Sequence, residues 1–234
     1  MAVLHQAYCF DVVSFHGELR KSVVPNGSLS IDLMLQVAKQ AVDEAHGDAR
    51  DFLRLICFDE EWFEAGTEDA HYFTDMYLVA LAPHIRHPCP IANLSFAALE
   101  LALPELGMDS HGVRLLLVGQ WLHSLAASSG VAAFAEKCSR GLRHVSWLSN
   151  ENVARLKSML LTHQQDFEAP NRVLIESMAG IPNELRGTHS PEAILRNAYR
   201  DLTGRLDAAH KSKTCLILIN DVTSYQRRPG PDPV

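Results

Sequence analysis

Twelve histidines and five cysteines are scattered along the 234 residues. A few groupings have the spacing that metal or acid–base chemistry uses. The densest is His84-x-x-His87-x-Cys89, inside the stretch Pro83 to Pro90 (PHIRHPCP). Imidazole and thiolate suit Zn²⁺ and other borderline metals, and short spacing lets one loop supply several ligands. Strong zinc signatures repeat a close ligand pair at a second place, and no matching Cys/His pair occurs here. The competing reading is a proline-stiffened connector whose histidines face solvent and whose Cys89 packs as a small hydrophobe.

Acid-x-x-His occurs three times, at Asp43/His46, Glu68/His71 and Asp207/His210. Residues three apart share a helical face, and di-iron carboxylate bundles use Glu-x-x-His in this way. Roughly 1.4 such patterns arise by chance in a chain of this composition, so three is a small excess. His46 and His210 also fall at expected helix C-termini, where the helix dipole alone favours a histidine. Glu100 is the only charge in Leu94–Leu103 (LSFAALELAL), and His123 stands in a nearly apolar run, VRLLLVGQWLHSLAA. A Glu turned into the core would have its pKa raised and would be a site candidate, whereas on the solvent edge of its helix it needs no explanation. The metal-ligand candidates are therefore His84, His87, Cys89, Glu68, His71, Glu100 and His123, with Zn or Fe as the implied ion.

A different chemistry is suggested by Asp59-Glu60-Glu61-Trp62-Phe63-Glu64, which sets four carboxylates around two aromatics. Exposed aromatics ringed by charge anchor partners at interfaces. Glu60, Glu61, Trp62 and Glu64 are thus candidate contacts for a basic protein partner. If Trp62 and Phe63 tuck into the core, the same acids are merely a solvated loop.

The elements that must position these residues are mostly helices. Tyr8–Ser14 (YCFDVVS) has strand composition. Phe15–Glu18 reads as a tight turn around Gly17, and Leu19–Val24 as a return strand ended by Pro25-Asn26-Gly27. At the far end Thr214–Ile219 (TCLILI) is apolar at nearly every position, the mark of a strand covered on both faces. Between them, capping and periodicity place helices at Ile31–His46, Ala49–Phe58, Thr67–Ala82, Asn93–Leu103, Val113–Ala127, Val131–Ser139, Asn150–Phe167, Asn171–Ala179 and Ser190–His210. The expected fold class is α+β and predominantly helical: eight or nine helices with a small sheet formed by the N-terminal and C-terminal strands. We read residues 1–226 as one domain and 227–234 (RRPGPDPV) as a disordered tail.

Composition bounds the function. The chain is 47% hydrophobic, enough for a proper core, and carries a net charge of −7. That balance argues against a nucleic-acid binder. An odd cysteine count without CxxC argues for a reducing, cytoplasmic setting. The N-terminus lacks the basic region of a signal peptide, and no apolar run reaches membrane-spanning length. No GxxxxGK[ST], GxGxxG, HExxH or GxSxG occurs. Two functions follow as expectations. The first is a non-catalytic protein–protein interaction module of the inhibitor, immunity or accessory type. The second is a metal-dependent enzyme with a His/Glu/Cys site in a helical scaffold.

Overall fold

The computed structural model describes residues 5–23, 25, 30–56, 70–122, 124, 125 and 145–220, with the backbone alone for 70–75. Five antiparallel strands form one sheet: β1 (His5–Phe10), β2 (Ile85–Pro88), β3 (Gln120–Trp121), β4 (Val145–Leu148) and β5 (Cys215–Asn220). Their spatial order is β2-β1-β5-β4-β3, so the two ends of the described chain pair at the centre, with Phe10 opposite Cys215 and His5 opposite Asn220.

Eleven α-helices are described: α1 (Val12–Lys21), α2 (Ile31–Glu44), α3 (Asp48–Ile56), α4 (Ala70–Leu81), α5 (Asn93–Glu105), α6 (Ser110–Leu117), α7 (Asn150–Thr162), α8 (Gln164–Glu168), α9 (Arg172–Ser177), α10 (Asn183–Arg186) and α11 (Pro191–Ser212). The protein is thus α+β and mostly helical, as its sequence pattern implies. No described helix is long and apolar enough to cross a membrane.

The helices cover both faces of the sheet. Tyr8, Phe10, Ile217, Ile219, Val145 and Trp147 look into a core shared with α1 to α4. Ala7, Cys9, Leu216, Leu218 and Leu148 look into a second core shared with α5, α6, α7 and α11. Strand alternation explains the division, because successive side chains point to opposite faces. It also explains why β5 is apolar throughout: Cys215 to Ile219 are all buried, so neither parity meets water.

Three local expectations give way. The residues after β1 are helical where a hairpin is expected. Asp11 accepts a hydrogen bond from the Ser14 amide at 2.9 Å, capping α1, and Phe15 and Leu19 then fall one turn apart on its buried face. A cap plus an i,i+4 apolar pair outweighs the turn preference of Gly17. The helix expected at Val113–Ala127 stops at Leu117, because Gly119 takes φ +83° and the chain turns into β3. PHIRHPCP is not a connecting turn: a 3-10 turn at Ala82–His84 leads into edge strand β2. An edge strand tolerates Pro88 because its missing N–H need not serve a second neighbour. The tail 227–234 and the helix at Val131–Ser139 lie outside the described residues.

Candidate functional site

Edge strand β2 carries a bulge. Tyr8 lies opposite Pro88 and Cys9 opposite Arg86, which leaves His87 as the extra residue in the ladder. His87 takes φ +38°, and its released N–H donates to Asp48 Oδ2 at 2.8 Å, at the start of α3. A bulge adds one residue to one strand, and a one-residue slip reverses which face each later side chain meets. Cys89 therefore joins the face of Ala7 and Cys9, with its amide donating to the Ala7 carbonyl at 2.6 Å. Without the bulge the alternation would send Cys89 to the face of Tyr8 and Phe10.

The bulge also separates the three residues of the His84-x-x-His87-x-Cys89 spacing. His84 is buried on the α1 side, where its Nδ1 meets Ser14 Oγ at 3.0 Å and its ring stands edge-on to Phe15. Burial holds its pKa below the usual imidazole range. His87 is exposed at the edge, and Cys89 turns into the opposite core. Glu100 is on the exposed side of α5, its carboxyl raised by partial burial alone. Among the described residues no three His, Cys, Asp or Glu side chains converge as metal ligands do. Glu60, Glu61, Trp62, Glu64, Glu68 and His123 lie outside the described residues, and for His71 only the backbone, on α4, is described.

In place of that triad, the structure brings together a pair of thiols and a buried arginine. Cys9 Sγ and Cys89 Sγ are 3.7 Å apart. Cys9 is fully buried and Cys89 is 8% exposed. Arg205, on α11, reaches the same place at 2% exposure. Its Nε donates to the Cys89 carbonyl at 2.9 Å and its Nη2 to the His5 carbonyl at 3.1 Å. Its Nη1 has no hydrogen-bond partner among the described residues. The acid one turn earlier on α11, Asp201, is turned to Ser95 Oγ at 2.6 Å and to Arg200 Nε at 3.9 Å. Burial pulls the Arg205 pKa down to about 10, with Cys89 and Asp201 pulling the other way, so the guanidinium stays charged at neutral pH. The two thiols titrate as one unit. The contact between the two sulfurs, in which either can donate, lowers the pKa of Cys9 and, with burial, holds the second proton on Cys89 above the ordinary thiol range, and the Cys89 thiol also donates to the His87 carbonyl at 3.4 Å.

The opposite end of the sheet carries a cleft of about 220 Å³, lined by His111, Arg114, Leu115, Gly119, Gln120, Trp121 and Ser124. Trp121 on β3 is 41% exposed, and the Arg114 guanidinium from α6 sits 4.9 Å over its ring. Gly119 lets β3 run tight against the sheet: a Cβ there would stand 2.8 Å from Leu218 Cδ1 and 2.9 Å from the Trp147 carbonyl. Ser124 Oγ donates to the Trp121 carbonyl and accepts from Trp147 Nε1, both at 2.7 Å. Asn152 Nδ2 fixes Gln120 Oε1 at 3.0 Å. These bonds lock the floor of the cleft and leave Trp121 and Arg114 at its mouth.

No protein-family model, curated protein or solved structure matches the chain.

Sequence reasoning passed over Arg205, Cys9, Arg114 and Trp121. Arg205 did leave a signal. The buried stripe of α11 runs Ile194, Leu195, Ala198, Leu202, Arg205, Leu206, Ala209, so the arginine occupies a core position of a helical repeat. A charge in such a stripe is rarely fully buried without a partner. Cys9 and Cys89 left none, because their meeting depends on the bulge.

Proposed function

We propose that the protein is a non-catalytic protein–protein interaction module, and that Trp121 and Arg114 anchor its partner. The observation that carries this reading is an exposed tryptophan under a guanidinium at the mouth of a cleft with a rigid floor. Trp and Arg dominate binding energy at interfaces, and rigid aromatic anchors lose little side-chain entropy on binding. At about 220 Å³ the cleft falls short of the roughly 300–1,000 Å³ of typical small-molecule sites. It has room for one or two side chains of a docking segment. Among the described residues the lining contains Arg114 and His111 and no acid, so the complementary segment carries a carboxylate. Catalysis is disfavoured at this place because the Ser124 hydroxyl is committed on both its donor and acceptor sides.

The basic partner implied by Glu60, Glu61, Trp62 and Glu64 is a separate contact, on residues outside the described ones. No arrangement among the described residues favours the metal-dependent alternative.

The test is selection of a displayed random-peptide library on the full chain. Enriched peptides should carry Asp, Glu or a free C-terminus at a fixed position. They should lose about 30-fold in affinity for Trp121→Ala or Arg114→Glu, the scale of a hot-spot residue. Both variants should keep the wild-type urea midpoint. Equal binding to wild type and both variants would remove the cleft from the interface.

A further inference from the structure

Arg205 presents an unsolved charge problem. A buried guanidinium is expensive unless an anion or enough acceptors offset its lost hydration. Here two backbone carbonyls satisfy Nε and Nη2, Nη1 is left over among the described residues, and the carboxylate of Asp201 is directed elsewhere. One of the two residues whose carbonyls it holds, Cys89, carries a thiol facing another. Cys89 supplies the carbonyl that Arg205 holds, its Sγ touches Cys9 Sγ at 3.7 Å, and a negative charge on it would favour the guanidinium. Two facing thiols can lose one proton and share the other, giving a thiolate that accepts a hydrogen bond from its neighbour. That anion is the counter-charge Arg205 lacks.

We propose that Cys9 and Cys89 are a redox-active dithiol that hydroperoxides close to an intramolecular disulfide, with the buried Arg205 guanidinium, held on Cys89, as counter-charge to the anion the pair shares. The inference is independent of the cleft at β3. The charged and titratable groups facing the pair are Arg205 from α11 and His87 from β2, with Asp201 acting on Arg205. Arg205 favours a charge on Cys89 and His87 favours one on Cys9.

The chemistry balances with a hydroperoxide as the named oxidant. The thiolate attacks the distal oxygen, an S–O bond forms, the O–O bond breaks, and the leaving oxygen takes a proton as water or alcohol. The second thiol then attacks the sulfenic sulfur. The S–S bond forms, the S–O bond breaks, and hydroxide leaves with the thiol proton as water. For hydrogen peroxide, two thiols and one peroxide yield one disulfide and two waters. The sulfurs must close from 3.7 Å to about 2.05 Å. Edge strand β2 can supply that movement, because its outer side is not held by another described strand. Cys89, at 8% exposure, is the entrance for so small an oxidant.

Cys215 is the internal comparison: it is buried, no described thiol is bonded to it, and burial pushes its pKa up to about 11. The reduced full chain is treated with hydrogen peroxide at pH 7, quenched by alkylation and mapped by mass spectrometry. The expected result is a loss of about 2 Da and a Cys9–Cys89 cross-linked peptide, formed at least about tenfold faster than Cys215 reacts. Arg205→Met should slow the reaction about tenfold and move its pH midpoint upward, while Arg205→Lys should stay near wild type. If Arg205→Met does not fold, the wild-type profile decides: a half-maximal rate well below pH ~8.5, the free-thiol value, supports the proposal. A midpoint at or above that value, a cross-link through Cys57 or Cys138 in preference to Cys9–Cys89, or Cys215 reacting as fast would overturn it.

Discussion

Replacing Gly119 by alanine should be among the most damaging single-methyl changes in the protein. Two costs combine. At φ +83° an L-residue is held in a sparsely populated region, which costs about 1–3 kcal/mol. The added Cβ would also stand 2.8 Å from Leu218 Cδ1, 2.9 Å from the Trp147 carbonyl and 3.2 Å from Ser146 Oγ. Leu218 can shift, but the carbonyl belongs to β4 and Ser146 Oγ is engaged with the Val118 carbonyl, so neither yields cheaply. Overpacking of this kind costs about 1–3 kcal/mol, for a total of about 2–6 kcal/mol against a typical stability of about 5–15 kcal/mol. Gly47 is the control: its φ is +55° and a Cβ added there would meet nothing within 4 Å, so Gly47→Ala should cost only about 1 kcal/mol. The assay is urea unfolding by circular dichroism. With a slope of about 2–3 kcal/mol/M, the Gly119→Ala midpoint should fall about 0.7–3 M and the Gly47→Ala midpoint by no more than about 0.5 M. Equal shifts would refute the argument, since they would mean that β3 does not press on β4 and β5 as described.

Stability should fall in mild acid because of His84. Its folded pKa lies below the unfolded value through burial, so its contribution is present above pH ~6.5 and is lost as pH falls, at up to about 1.4 kcal/mol per pH unit. Urea midpoints at pH 7.5 and 5.5 should converge in His84→Gln, and an unchanged gap would exclude this histidine. Asp48→Ala should cost about 1 kcal/mol by orphaning the His87 amide, while Asp48→Asn, which keeps an acceptor, should cost less in the same assay. Charge reversal at Glu60, Glu61 and Glu64 should weaken recovery of a basic partner in a pull-down by about tenfold without unfolding the chain. Unchanged recovery would dismiss that acidic stretch as a contact.

Much of the architecture is legible in the sequence because local physics and global fold agree. The unbroken apolar run of β5 announces a strand buried on both faces, and Ser190-Pro191-Glu192 announces the start of α11. The polar spacing His84-x-x-His87-x-Cys89 misleads for a physical reason. Such spacing implies a shared loop, but the segment is a strand, where alternation and a bulge decide direction. His84 and Cys89 are sent to opposite cores, and Cys89 meets Cys9, 80 positions away. Periodicity and capping act within a few residues, so the amino-acid order alone is enough for the fold class, the strands at the two ends and most helix starts. Which charges and thiols meet is settled in three dimensions. Arg205, Cys9 and Cys89 come together through α11, β1 and β2, elements far apart in the chain, and one extra residue in an edge strand selects the face on which they do so.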